Sequence, residues 1–117
     1  MGQNIVKEKS RNFAIRIRKL YVYLRDVKKE FVMSKQVYKS GTSIGANIVE
    51  ADHSMSKKEF ISKLNIALKE AAETEYWLDI LNSTECIEPK DYQSINNDCI
   101  EIKKLLVSII KSSNNNI

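Results

Sequence analysis

Apolar residues recur at helical spacing along most of this chain. Phe13, Ile17, Leu20, Leu24 and Val27 step by four, three, four and three, which places them on one stripe of a helix. Asn12 stands where an N-cap is expected, leaving about residues 1–10 as a flexible end. Phe31, Val32 and Met33 lead into a second segment, from about Ser34, read as its N-cap, to about Asp52. Val37, Gly41, Ile44, Ile48 and Ala51 share one face of it, and the spacing runs unbroken through the run SGTSIGANIVEA. Each glycine in a helix costs about 1 kcal/mol against alanine. Close approach of a neighbouring helix at Gly41 and Gly45 is the expected compensation, and Asn47 is counted with them as a helix-packing position. The third segment opens with a capping box, Ser56-x-x-Glu59, and carries Phe60, Leu64, Ala67, Leu68, Ala71 and Leu78 to about Leu81. Pro89 suits the first turn of a fourth. There Tyr92, Ile95, Cys99, Ile102, Leu106 and Ile109 step by three, four, three, four and three before a polar tail at about 112–117 that is expected to fray.

Four helices with short connections predict an all-α fold: one antiparallel up-down-up-down four-helix bundle over residues 1–117. At 43% hydrophobic and 29% charged, the chain can bury a core without disulfides or a metal. Three glycines and one proline are too few for a turn-rich sheet protein. No apolar run approaches the roughly 18 residues of a membrane span, and the N-terminus lacks a secretory apolar region. Cys86 and Cys99 are too far apart for a CxxC pair and fit reduced thiols, so a cytoplasmic protein without membrane association is expected. Some apolar residues exceed what one bundle core needs. Ile15 and Val22 point away from the first stripe, and Ile66, Trp77, Ile80 and Leu81 fall on the side of the third segment away from Phe60 and Leu64. Such a surplus predicts a homo-oligomer with these residues at its interface.

Charge adds a second theme. The net charge of +4 divides into +8 over residues 1–40 and −4 over the rest. Arg11, Arg18 and Arg25 are spaced by seven on one helix face, with Lys28 and Lys29 extending the row. A row of cations fits phosphate, through the planar guanidinium fork and counterion release, and reads charge and shape rather than bases. Intrasubunit salt bridges, or one subunit's basic part facing another's acidic part, would use the same residues. Ser40, Ser43, Asn47 and Glu50 form a polar stripe, read as a hydrogen-bonded seam facing Glu70, Glu73 or Lys69. No enzyme is expected: there is no GxSxG elbow and no phosphate-loop spacing, the Glu50, Asp52 and His53 cluster sits at a helix end, and His53, the single histidine, lacks a second His or Cys partner. No metal or cofactor is expected either. Two functions stay open: a scaffold that associates with RNA or DNA, and an interaction module that binds another protein or only itself.

The run SKQVYKSGTSIGANIVEA followed by SKKEFISKLNIALKEAAETEYWLDIL resembles the four-helix-bundle proteins of the 23S rRNA intervening-sequence family, from about Arg11 to about Lys111. The resemblance implies a bacterial source and a ring-like homopentamer of antiparallel bundles. Some members are encoded within insertions in ribosomal RNA genes. The group includes the accessory variability protein of diversity-generating retroelements, which partners a reverse transcriptase and binds nucleic acid through basic surfaces. Where relatives commonly carry Arg before SGTSIGAN, this chain has Lys39, which keeps the charge and loses the bidentate fork. Lys39 joins the candidate contacts on that basis.

Overall fold

Each apolar stripe becomes a helix in the computed structural model, which describes residues 2–115. The helices are α1 (Gly2–Asp26), α2 (Met33–Asp52), α3 (Lys57–Ser83) and α4 (Pro89–Asn115). Connections this short can only return the chain beside the helix it has left. α1 therefore packs on α2, α2 on α3, α3 on α4, and α4 closes back on α1. Among the described residues the diagonal pairs, α1 with α3 and α2 with α4, make no backbone approach. The result is an up-down-up-down bundle 48 × 22 × 19 Å. No helix is long and apolar enough to cross a membrane among the described residues.

The four stripes meet along the axis. Phe13, Ile17 and Leu24 from α1 join Val37, Ile44 and Ile48 from α2, Leu64 and Leu78 from α3, and Ile95, Ile102 and Leu106 from α4, all buried. Each such side chain contributes about 1.5–3 kcal/mol by leaving water. α2 runs unbroken through both glycines, as the spacing predicts. A Cβ built on Gly41 would stand 2.8 Å from Ile17 Cγ1 and 2.9 Å from Cγ2. The missing side chain is what lets α1 and α2 close at that level. At Gly45 the neighbour is Ser10, whose Oγ would lie 3.3 Å from a Cβ. Asn47, expected to help pack the helices, donates from Nδ2 to the Ser43 carbonyl one turn back, at 2.8 Å.

Several expectations are corrected. The N-terminal segment is helical from Gly2, and Val6 and Ser10 are each 1% exposed, so α1 begins well before Asn12, which lies exposed in mid-helix and caps nothing. Val6, Ser10, Phe13 and Ile17 continue the seam backward at steps of four, three and four. The seam also stops earlier than expected: α1 ends at Asp26, and Val27 is 64% exposed. At the C-terminal end, residues 112–115 remain in α4, while Met1 and residues 116–117 lie outside the described residues. Leu81, assigned to a subunit interface, is fully buried in the monomer core and offers nothing to a partner.

Ser34 does not cap α2. The first three amides are held instead by Glu30, whose Oε2 accepts from Val32 N at 3.1 Å and Met33 N at 3.0 Å, and whose Oε1 accepts from Ser34 N at 2.6 Å. A carboxylate on three amides at a helix N-terminus satisfies orphan donors and faces the positive end of the dipole. Lys29, at φ 56°, turns the chain to bring it there. The capping box of α3 forms on its Ser56 side: Ser56 Oγ accepts from Glu59 N at 3.1 Å. Glu59 Oε1 reaches one residue past the cap, to Met55 N at 3.0 Å.

Candidate nucleic-acid interface

α1 carries cations on both of its flanks, and the flanks differ. On the side facing α4 two of them are ion-paired, Arg16 with Asp98 at 2.8 Å and Lys9 with Glu101 at 3.2 Å. Lys19, which lines a cavity with Glu88 and Asp91, is in no ion pair among the described residues. Arg16 also donates from Nη2 to Ser94 Oγ at 2.8 Å. On the side facing α2, Lys7 pairs with Asp52 at the far end, at 2.7 Å. Arg11 and Arg18 have no acidic partner among the described residues. Arg25 pairs only with its sequence neighbour, Asp26 Oδ1, at 2.7 Å. That contact raises the Arg25 pKa and lowers that of Asp26. Arg11 to Arg25 spans about 21 Å of helix at 1.5 Å per residue.

Beside this row lies a groove of about 520 Å³ between α1 and α2. Small residues, Ala14, Thr42, Gly45 and Ala46, line it together with Val49, and the charged Lys7, Glu8 and Arg11 line it as well. Small side chains here follow from the close approach at the glycines. Further along, Tyr21 of α1 and Tyr38 of α2 stack face to face, centroids 4.7 Å apart and planes at 20°. The Arg18 guanidinium lies 5.7 Å from the Tyr21 ring and 5.6 Å from the Tyr38 ring, and that of Arg25 lies 5.4 Å from Tyr21. The α1/α2 face thus combines arginines without a carboxylate partner, or beside aromatic rings, with a shallow groove of mostly small residues, features that suit a polyanion held by its backbone.

The structure disperses the other candidate contacts. Lys28 and Lys29 lie in the turn after α1, exposed but off the helical row, with Lys29 acting on Asp26. Lys39 is exposed on the α3 side of α2, where its charge acts on Glu70, and it does not join the groove. Glu70 has its pKa raised by burial and by Glu73, with Lys39 opposing. The polar stripe on α2 resolves into separate local bonds. The Ser40 and Thr74 hydroxyls meet at 2.9 Å between α2 and α3, Ser43 donates to Lys39 O at 2.6 Å, and Glu50 pairs with Lys63 at 2.8 Å. The stripe therefore crosses to α3 at Ser40 and at Glu50, and the partners are Thr74 and Lys63 rather than Glu70, Glu73 or Lys69. Among the described residues, no group of three or more His, Cys, Asp or Glu is placed to hold a metal ion. Cys86 and Cys99 are free thiols, Cys99 buried with its pKa pushed up to about 12 by desolvation.

Apolar residues assigned to an interface fall on opposite sides of the bundle. Ile15 is 41% and Ile66 38% exposed, while Val22, Trp77 and Ile80 are half-buried. Trp77 leans on the core with one part of its ring and donates from Nε1 to Glu73 Oε2 at 3.0 Å. Tyr21 and Tyr38 were not legible as functional residues in the sequence. Each sits beside its helix's core stripe, and only the pairing of two helices brings the rings together.

Comparison with known proteins places this arrangement. The family model described as 23S rRNA-intervening sequence protein matches residues 2–108. A crystal structure of a protein with unknown function from the S23 ribosomal protein family of Bacteroides thetaiotaomicron superposes with a TM-score of 0.94 at 62% sequence identity, covering 95% of this chain and 99% of that one. No curated protein matches.

Proposed function

The chain belongs to the 23S rRNA-intervening sequence protein family, and from that premise we propose that it is a non-enzymatic scaffold that associates with nucleic acid through the α1/α2 face. One observation carries the reading. Arg11 and Arg18, seven residues apart on the α2 flank of α1, have no carboxylate partner among the described residues, whereas Lys9 and Arg16 on the α4 flank are ion-paired. The contacts are to phosphate, so binding is electrostatic and weakly sequence-specific. RNA is the first polymer to test, given the family's association with ribosomal RNA genes, with duplex DNA beside it. Replacing both Arg18 and Arg25 with Glu should abolish binding of structured RNA at low salt while the bundle stays folded, because neither guanidinium enters the core. Unchanged affinity would remove this face from the site.

The scaffold acts as a homo-oligomer in this reading, a pentamer by resemblance. The exposed apolar residues support a ring. Ile15 lies on α1 and Ile66 on α3, which are diagonal in the bundle, so one subunit offers two different surfaces on opposite sides. Contacts between unlike surfaces are heterologous, and they form a ring where the rotation between subunits closes. Two free thiols fit a reducing, cytoplasmic setting. The second reading, a protein-interaction module, draws on the same apolar residues and takes over if no nucleic acid binds at low salt.

A further inference from the structure

We propose that Tyr21 and Tyr38 form a rack that holds Arg18 and Arg25 as one phosphate-binding unit, which makes this end of the row the anchor of the site. The proposal rests on the nucleic-acid reading and goes beyond it by naming the subsite and two uncharged positioning residues.

An arginine on a helix surface normally samples many rotamers, and ordering it on binding costs affinity. Here the guanidiniums are not free to wander. Arg18 rests against both rings of the stack, at 5.7 and 5.6 Å, and Arg25 against Tyr21 at 5.4 Å, inside the roughly 6 Å range of cation–π attraction. The stack joins two helices, so the ring faces are fixed by the bundle and not by one flexible side chain. Arg18 lies beside the stack, nearly equidistant from the two rings, and a guanidinium held there keeps N–H donors for an oxyanion. Arg25 shows how that edge is used. Its Nε donates to Asp26 Oδ1 at 2.7 Å and its Nη2 to Oδ2 at 3.2 Å, so the carboxylate fills the fork that a phosphate would take. Arg18 has no such occupant among the described residues and is the open half of the unit. Arg11, by contrast, has no aromatic partner among the described residues and serves as an outlying contact at the groove.

The chemistry recognised is a phosphate group, presented by a polynucleotide backbone or by a free polyphosphate. The test uses two probes on the intact protein, a labelled single-stranded oligouridylate and inorganic tripolyphosphate. Tyr38→Leu should weaken oligouridylate binding roughly five- to tenfold, the scale of losing the preordering of a rotamer-rich side chain. Tyr38→Phe, which keeps the ring, should stay within about twofold of the parent. Asp26→Asn, which empties the Arg25 fork, should tighten binding about threefold. Nuclear magnetic resonance of the arginine Nε–H groups reads the rack directly. Arg18 should lose the Tyr38 part of its ring-current shift in Tyr38→Leu, and both Arg18 and Arg25 should shift when either probe is added to the parent. If tripolyphosphate shifts Arg18 and Arg25 but no nucleic acid binds, the rack stands and the nucleic-acid reading falls. If the oligonucleotide binds Tyr38→Leu as tightly as the parent, or binds the parent without moving the Arg18 resonance, the rack is overturned and the broader reading survives. If neither probe moves Arg18 or Arg25, the rack is overturned as well. Should Tyr38→Leu fail to fold, the parent resonances and the Tyr38→Phe and Asp26→Asn affinities decide the matter.

Discussion

At Gly41 two contributions to stability oppose one another. Alanine would raise helix propensity by about 1 kcal/mol, but its Cβ would sit within 3 Å of two carbons of Ile17, a fully buried side chain. Overpacking of that kind costs about 1–3 kcal/mol, so Gly41→Ala should lower the urea midpoint, and adding Ile17→Val should recover part of the loss. Gly45→Ala meets only the Ser10 hydroxyl, which already bonds Lys7 O at 3.0 Å and can shift. That variant should lie within about 1 kcal/mol of the parent. The cysteines separate just as clearly. Cys99 is buried with a pKa near the top of the accessible range, about 12, while Cys86 is half-exposed. A thiol reagent at pH 8 should therefore modify one cysteine in the native protein and the second only after unfolding. Rapid reaction at both would contradict the burial of Cys99.

The four helices were legible because their apolar residues repeat at helical spacing, and a bundle with short connections has few other ways to fold. Their ends were less so. Val27 fits the arithmetic of the first stripe, but Lys29 turns the chain before that residue can reach the core. The cap of α2 was missed for a related reason: Glu30 reaches three amides from an irregular turn, and residue-type rules look for a short polar side chain at the boundary. Leu81 belongs to the core by the same arithmetic as its neighbours: Leu64, Ala67, Ala71, Thr74, Leu78 and Leu81 step by three, four, three, four and three along one buried stripe, and reading it as outward overlooked that spacing. The candidate site was half legible. A heptad spacing of arginines can be read from one helix, whereas the Tyr21–Tyr38 stack exists only between two. Glu30→Ala should cost about 0.5–2 kcal/mol in urea unfolding, the range for losing an N-cap. Ser34→Ala should be neutral or stabilising, because Ser34 Oγ is buried with no hydrogen-bond partner. A loss above about 1 kcal/mol in Ser34→Ala would show that this hydroxyl is bonded after all.

For the molecule as a whole, two surfaces carry the account: a basic α1/α2 face and apolar residues on diagonal helices. If Trp77 contributes to assembly, Trp77→Ala should shift the light-scattering mass toward the 13.5 kDa monomer at micromolar concentration with little loss of helicity. A parent protein that already runs as that monomer would remove the ring. The central claim is that phosphates meet the arginine row, and salt dependence measures it most directly. Affinity for duplex DNA or structured RNA should be determined between about 50 and 200 mM salt, where counterion release dominates. Three arginines of one subunit on phosphate predict a log–log slope of about −3 for a duplex, becoming shallower by about one unit in Arg18→Ala. A parent slope near zero, or a slope unchanged in Arg18→Ala, would contradict the account.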